Sequence, residues 1–163
     1  MKKVAILYST YTPTVDALKS VFKNADVDCF MSAPTKEDSV KYDLVIVTNY
    51  NEPIEFNALN IHHSLLPSFA GDEPEREAII EGVKVTGITI YYTNPQKIVA
   101  QYPLFIQNDT HYDELVEKLN QLEQLIYPIV AEKILNNEQF DIRTLLQGNS
   151  NGCCGNCQSC GGH

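Results

Sequence analysis

Residues 60–71 read NIHHSLLPSFAG and continue a short apolar run, ALNIH, that begins at residue 58. The run is typical of a buried β-strand. Residues two positions apart in a strand project from the same face, so Asn60 and His62 are expected side by side at the strand end. An amide donor beside an imidazole can polarise a carbonyl group and stabilise the oxyanion formed when a nucleophile attacks it. Asn60 and His62 are therefore candidate catalytic residues for acyl transfer.

Three more strands are expected upstream, in KKVAILYS (residues 2–9), VDCFMSA (residues 27–33) and DLVIVTN (residues 43–49). Their apolar residues are nearly continuous, which favours a parallel sheet covered on both faces. Between the first two strands, apolar residues recur at helical spacing over residues 15–22. Cys29 falls within the second strand, and we expect it to be a small buried hydrophobic residue.

Downstream, PEREAIIE (residues 74–81) predicts a short helix with Pro74 in its first turn. Two long strands, residues 83–93 and 97–107, are joined by a tight turn at NPQ. From Thr110 to about Asn136 the apolar spacing is helical, and Thr110 with Asp113 resembles a capping box. The order of elements predicts an α/β fold with a mostly parallel twisted sheet flanked by helices. Ligands of such sheets bind at the carboxyl ends of the strands, where Asn60 and His62 are expected.

The composition is that of a globular chain with acidic character. Its 163 residues are 44% hydrophobic and carry a formal net charge of −9. Without a cluster of Lys and Arg, neither nucleic acid nor an anionic membrane is an expected partner. The first apolar run, residues 4–8, is too short for a signal peptide, so we expect a cytoplasmic protein. Partners should be small molecules or proteins, and the sequence leaves the oligomeric state open.

NIHHSLLPSFAG resembles the signature of the folate-dependent formyltransferases, in which Asn-x-His-x-Ser-Leu-Leu-Pro ends the catalytic strand. Residues 71–79 resemble the next segment of methionyl-tRNA formyltransferase. GVKVTGITIYYT (residues 82–93) and EQLIYP (residues 123–128) are similar to a strand and the C-terminal helix of glycinamide ribonucleotide formyltransferase. The similarity follows the order of elements over residues 1–135, so residues 1–136 are expected to form one formyltransferase-like domain.

The resemblance implies a Rossmann-like domain that moves a formyl group from 10-formyltetrahydrofolate to a small-molecule amine. On the matching positions, it implies that Asn60 and His62 hold the formyl oxygen and stabilise the tetrahedral intermediate. It also implies that Ser64 and Glu123 belong to the substrate-binding residues, with Glu123 on a helix near the acceptor.

Three departures from the family pattern bear on this expectation. The family's proton-accepting Asp is replaced in the best-matching position by Asn94, the third candidate catalytic residue, and an amide cannot accept a proton. A water or a distant carboxylate would then replace the Asp. The glycine-rich phosphate loop is replaced by STYTPT (residues 9–14), where Tyr11 and Pro13 disfavour a bound ribonucleotide phosphate. The segment YNEPIEFN (residues 50–57) is shorter than the family's folate-binding segment.

Several charged or polar residues near these motifs also have ordinary structural interpretations. His63 is expected to be a solvated neighbour of the site, and Glu123 can be a solvated charge on a polar helix face. Asp72, Glu73 and Glu75 can supply a base, but acidic residues around a helix start usually interact with the helix dipole. We therefore expect no catalytic role for these three.

The C-terminal tail contains four cysteines within eight residues, and we predict that they form a metal site: Cys153, Cys154, Cys157 and Cys160. The C-x-x-C spacing lets two thiolates reach one metal ion, so zinc or an iron–sulfur cluster is the expected cofactor. An oxidisable tail that binds metal only adventitiously is the alternative. We place the tail at residues 153–163 and a connecting segment at residues 137–152.

Three functions remain open on these observations. The leading hypothesis is a small formyltransferase-like enzyme built around Asn60 and His62. The second is a catalytically reduced descendant that binds a small molecule or a partner and uses the tail as a metal or redox sensor. The third is a metal-carrying protein in which the formyltransferase domain serves only as scaffold.

Overall fold

The computed structural model describes residues 1–145. Its six strands are β1 (Lys2–Leu7), β2 (Ala25–Phe30), β3 (Leu44–Val47), β4 (Leu59–His62), β5 (Val85–Thr93) and β6 (Gln96–Phe105). Its α-helices are α1 (Pro13–Val21), α2 (Lys36–Ser39), α3 (Pro74–Glu81) and α4 (Tyr112–Leu135), and a 3-10 helix spans Ile142–Thr144. No helix among residues 1–145 is both long and apolar enough to cross a membrane.

All six strands join one sheet in the order β2-β1-β3-β4-β5-β6. The pairs β1–β2, β1–β3 and β3–β4 are parallel, whereas β5 pairs antiparallel with β4 and β6. This arrangement confirms the predicted α/β fold with a mostly parallel sheet. Because the chain leaves β1 toward β2 on one side and returns as β3 on the other, a crevice is expected at the carboxyl ends of β1 and β3.

The hydrophobic core lies on both faces of the sheet. On one face, residues of α1, α3 and α4 pack against the strands, and the fully buried side chains there include Leu18, Leu119 and Tyr127. A smaller cluster on the opposite face includes Leu7 and Val47. Burial on both faces explains why β3, with the sequence LVIV, contains no polar residue.

The structure corrects the expectation for β2 and Cys29. β2 lies at the edge of the sheet, and its side chains are exposed or only partly buried. Its sequence ADVDCF places Asp26 and Asp28 toward solvent, as is typical of an edge strand. Cys29 is exposed, so the prediction of a small buried hydrophobic residue is wrong.

The helices agree with the prediction except at two places. The predicted helix over residues 74–81 is confirmed as α3. The prediction of a capping box at Thr110 is wrong, because α4 has His111 as its N-cap and this residue makes no side-chain capping hydrogen bond. The prediction missed α2, although Thr35 caps this single turn by accepting a hydrogen bond from the Asp38 backbone N–H.

Residues 137–145 pack back onto the domain. Phe140, Ile142 and Leu145 are partly buried against the core, and the 3-10 helix lies next to β6. This part of the predicted connecting segment therefore contacts the folded body. The domain boundaries at residues 136 and 152 stay predictions, and residues 146–163 lie outside the described part of the chain.

The β5–β6 hairpin supports the loop that follows β4. A Cβ on Gly87 would lie 2.1 Å from the Tyr102 carbonyl oxygen and 2.8 Å from Cδ2 of Leu65. Such distances are far inside van der Waals contact, so only glycine fits at this position without backbone movement. The missing side chain lets the loop after β4 sit directly on β5, which fixes the loop close to Asn60 and His62.

Candidate functional site

A cleft of about 800 Å³ opens at the carboxyl ends of β1, β3 and β4, and α3 and α4 contribute to its walls. A volume of this size is typical of sites that hold a small molecule or cofactor. The cleft is lined by residues 12–14, 48–51, 60–63 and 70–72, and by Pro74, Glu75, Tyr91, Asn120, Glu123 and Gln124. It lies where the topology predicts a ligand crevice.

Asn60 and His62 both line the cleft, as their spacing on a strand predicts. The side-chain oxygen of Asn60 accepts a hydrogen bond from the Ile61 backbone N–H at 2.7 Å. Its Nδ2 group therefore stays available as a donor within the described part of the chain. Nε2 of His62 donates to the Phe69 carbonyl oxygen at 2.8 Å. This contact fixes the tautomer of a neutral ring and leaves Nδ1 as the nitrogen that can exchange a proton or a hydrogen bond with a ligand.

The loop after β4 is held by a hydrogen-bond network around Thr89 of β5. The Thr89 hydroxyl donates to the Ser64 carbonyl oxygen and accepts from the Leu66 N–H. The Gln101 amide donates to the Leu66 carbonyl oxygen at 2.8 Å. The loop ends at Phe69, whose φ of 51° is unusual for a bulky residue. The network holds this backbone in place, and the Phe69 carbonyl oxygen orients His62.

His63 is not the solvated neighbour that the sequence predicts. Its ring lies between two carboxylates, with Nδ1 2.7 Å from Glu75 Oε1 and Nε2 2.9 Å from Glu123 Oε2. The exposed side-chain fractions are 16% for His63, 16% for Glu75 and 10% for Glu123. Glu123 is therefore not a solvated helix charge either, and its other oxygen accepts a hydrogen bond from the Thr48 hydroxyl. The three residues join the end of β4 to α3 and α4.

The cluster fixes the charge state of His63. Burial alone would lower the pKa of this imidazole, but the hydrogen bonds and charges of Glu123 and Glu75 outweigh it and raise the pKa to about 9. Burial would likewise raise the pKa of Glu75, but the contact with His63 outweighs it and lowers that pKa. At neutral pH, His63 is therefore an imidazolium that donates from both nitrogens. The three residues together carry one net negative charge.

The structure brings together only part of the predicted site. Asn60, His62 and Glu123 line the same cleft, whereas Ser64 and Asn94 do not. Ser64 is fully buried, and its hydroxyl donates to the Ser68 carbonyl oxygen, which closes the loop after β4. Asn94 lies in the turn between β5 and β6, where its amide donates to the Glu55 carbonyl oxygen. Both residues therefore have structural contacts outside the cleft.

The acidic residues around the start of α3 differ in their position relative to the cleft. Asp72 and Glu75 line the cleft, whereas Glu73 is not among the lining residues and forms an exposed ion pair with Arg76 at 3.4 Å. The separation of 60 residues between His63 and Glu123 hides their contact from any local pattern. The closest sequence signal for this cluster was the pair of adjacent histidines followed, twelve residues after His63, by Glu75.

The loop after β1 contributes a neutral wall to the cleft. Thr12 is the N-cap of α1, and its buried hydroxyl has no hydrogen-bond partner among the described residues. Pro13 occupies the first turn and has no N–H to donate, and Asp16 adds a negative charge to that turn. The prediction that this loop does not hold a phosphate rests on Pro13 and on the missing glycines, and it stays a prediction.

The predicted metal ligands Cys153, Cys154, Cys157 and Cys160 lie outside the described residues, so the metal site stays a prediction. Within residues 1–145, no group of three or more His, Cys, Asp or Glu side chains has the arrangement of a metal site. Cys29 is the only cysteine in that part of the chain.

The tail prediction can be checked by metal analysis of anaerobically purified protein. We expect the wild type to retain zinc or iron and the Cys154→Ser/Cys157→Ser variant to lose most of it, because two of four thiolate ligands are removed. Cys29→Ser is the matched control and should retain the metal. Equal metal content in all three proteins would exclude Cys154 and Cys157 as required ligands.

The α/β sheet carries a polar cleft with Asn60 and His62 at the end of β4, the position at which α/β sheets usually bind ligands. Comparison with known families identifies the group. A family model described as formyl transferase matches residues 16–131. The chain therefore belongs to the formyl transferase family.

Individual relatives agree with this assignment. The chain is 29% identical over 155 residues to a formyltetrahydrofolate deformylase of Synechocystis, an alignment that covers 79% of this chain and 55% of the relative. It is 36% identical over 83 residues to a phosphoribosylglycinamide formyltransferase of Bacillus subtilis, with 47% of this chain and 42% of the relative covered. The chain thus spans about half the length of these relatives.

The solved structures agree on the fold. A phosphoribosylglycinamide formyltransferase from Bacillus halodurans superposes with a TM-score of 0.68 at 24% identity, and the alignment covers 82% of this chain and 95% of that one. The likeness confirms the Rossmann-like formyltransferase fold predicted from the sequence.

Proposed function

We propose that the cleft transfers a formyl group from 10-formyltetrahydrofolate to an amine. The observation that carries this proposal is the pairing of Asn60 Nδ2 and His62 at one wall of the cleft in a chain of the formyl transferase family. A folate-type donor is supported by the relatives that are named formyltetrahydrofolate deformylase.

The reaction needs a stabilised oxyanion and a destination for one proton. The amine nitrogen attacks the formyl carbon and forms a C–N bond, while the formyl oxygen takes up negative charge. Asn60 Nδ2 donates a hydrogen bond to that oxygen, and His62 does so through Nδ1 when that nitrogen carries a proton. The bond from the formyl carbon to N10 of the folate then breaks, and the proton lost by the amine ends on N10. The products are a formamide and tetrahydrofolate.

Glu75 is our candidate for the proton acceptor that replaces the family's Asp. It lines the same cleft as His62, and its contact partner His63 is the next residue in the chain. Its Oε1 contacts His63, whereas its Oε2 has no side-chain partner among the described residues. A carboxylate can accept a proton, which the amide of Asn94 cannot do.

Water is a second candidate acceptor, because the curated relatives include formyltetrahydrofolate deformylases. In that reaction a water oxygen attacks the same formyl carbon, and the products are formate and tetrahydrofolate. Asn60 and His62 would have the same roles, since the charge develops on the same oxygen. The two reactions differ in their product: the formyl carbon ends in a formamide when an amine is the acceptor and in free formate when water is the acceptor.

Binding of the donor tests the shared part of both reactions. In a calorimetric titration with a non-hydrolysable 10-formyltetrahydrofolate analogue, we expect one saturable site. Asn60→Ala should weaken binding by about tenfold, because one hydrogen bond to the formyl oxygen is lost. Asn94→Ala is the matched control and should bind as the wild type does. Absence of saturable binding would overturn the proposed function.

A further inference from the structure

The charged residues that line the cleft are mainly acidic. Three carboxylates line it, those of Asp72, Glu75 and Glu123, and none of the twenty lining residues is Lys or Arg. Protonated His63 balances one of these charges, so the described lining carries a net negative charge in either protonation state of His62. Such a lining attracts cations and repels phosphates and carboxylates.

Burial of two of these carboxylates strengthens the preference of the cleft for cations over anions. Glu75 and Glu123 are mostly shielded from solvent, with 16% and 10% of their side chains exposed. Interactions between charges in such surroundings are several times stronger than in water, because the effective dielectric constant is lower. An anionic group placed beside them would lose its hydration and gain no counter-charge, which is costly.

The remaining polar lining is neutral and rich in hydrogen-bonding groups. Asn49 and Asn51 follow β3, and Asn120 and Gln124 lie on α4. Thr48, the first residue after β3, donates a hydrogen bond to Glu123 of α4. Amides and hydroxyls of this kind recognise hydroxyl groups of a ligand, since both sides can donate and accept. Side chains suited to a bidentate contact with a phosphate, such as Arg, are missing from the lining.

From the composition of the cleft we infer that the acceptor is a hydroxyl-bearing primary amine that enters as a cation and carries no phosphate or carboxylate. This inference rests on the proposed function. The ammonium group binds beside Glu75, and one of its protons passes by way of the second oxygen of Glu75 to bulk water, which leaves a neutral amine. That amine attacks the formyl carbon as described above, and its second proton passes to N10. The donor's own carboxylates lie at its glutamyl end, several bonds from the formyl group.

A matched pair of acceptors tests the inference. D-glucosamine and D-glucosamine 6-phosphate have the same amine and differ in one phosphate. With 10-formyltetrahydrofolate as donor, mass spectrometry follows the formamide product and a separate assay follows formate. We expect kcat/KM to be on the order of tenfold or more higher for the unphosphorylated amine, and the difference to shrink as salt is added.

Variants of the cleft carboxylates assign the preference to this site. Asp72→Asn removes an exposed charge from the lining and should reduce the preference for the unphosphorylated amine by about threefold. Glu73→Gln removes a neighbouring charge outside the cleft and should leave the preference unchanged.

Three results would overturn the inference. The first is an equal or higher rate with the phosphorylated amine. The second is release of formate with no formamide from either amine, which would leave formyl-folate cleavage intact and make water the acceptor. The third is unchanged 10-formyltetrahydrofolate under all conditions, which would overturn the proposed function as well.

Discussion

His62→Ala is expected to lower kcat for formyl transfer by about 10²–10³-fold, the usual effect of removing one oxyanion donor. The imidazole is held by the contact of its Nε2 with the Phe69 carbonyl oxygen, so Nδ1 is already positioned in the wild type before the substrate binds. The loss should appear mainly in kcat, because the hydrogen bond strengthens as negative charge develops on the formyl oxygen. Steady-state kinetics with saturating 10-formyltetrahydrofolate provide the measurement.

His111→Ala is the matched control for this variant. His111 is an exposed N-cap residue that makes no capping hydrogen bond, so its removal should leave kcat within about twofold of the wild type. If His62→Ala retained the wild-type kcat, His62 would have no part in the chemistry.

The second large effect is a dependence of stability on pH. His63 has a folded-state pKa of about 9 against an ordinary value of 6.5, because the effect of Glu123 and Glu75 outweighs that of burial. Since the folded-state pKa is raised, the stabilisation is fully present below pH 6.5 and is lost as the pH rises through 9. A difference of this size corresponds to about 3 kcal/mol. Urea denaturation between these two pH values measures the loss.

His63→Gln should remove most of this dependence and lower stability at neutral pH, because a neutral amide cannot balance two mostly buried carboxylates. His111→Gln serves as control and should retain the wild-type profile. A titration of the wild type by NMR provides a check that needs no variant. An imidazole of His63 that titrates near its ordinary pKa of 6.5 would show that the two carboxylates do not hold it as a cation.

Much of the fold could be predicted because its signals are local. The all-apolar β3 and the proline at the start of α3 are properties of a few adjacent residues, and the structure places both elements as expected. The prediction that Cys29 is buried was wrong because its exposure depends on the position of β2 in the sheet. The local sequence of β2 does not reveal that this strand lies at an edge. The four-residue α2 was missed because it is too short to show a period.

The candidate site could be predicted in part for the same reason. Asn60 and His62 are two residues apart on one strand, so their common direction follows from strand geometry. Contacts between distant segments could not be foreseen. His63 meets Glu123 only because α4 packs beside the end of β4, 60 residues away in the chain. Asn94 was placed in the site by resemblance, and the structure instead places it in the turn between β5 and β6.

The fate of the formyl carbon tests the central claim most directly. 10-Formyltetrahydrofolate labelled with ¹³C in the formyl group is incubated with the protein and a hydroxylated amine, and NMR follows the label. We expect the wild type to move the label from the folate to a formamide, and His62→Ala to do so at a strongly reduced rate. If the label stayed on the folate at saturating protein and amine, the cleft would not be a formyl-transfer site, and the proposed function would be wrong.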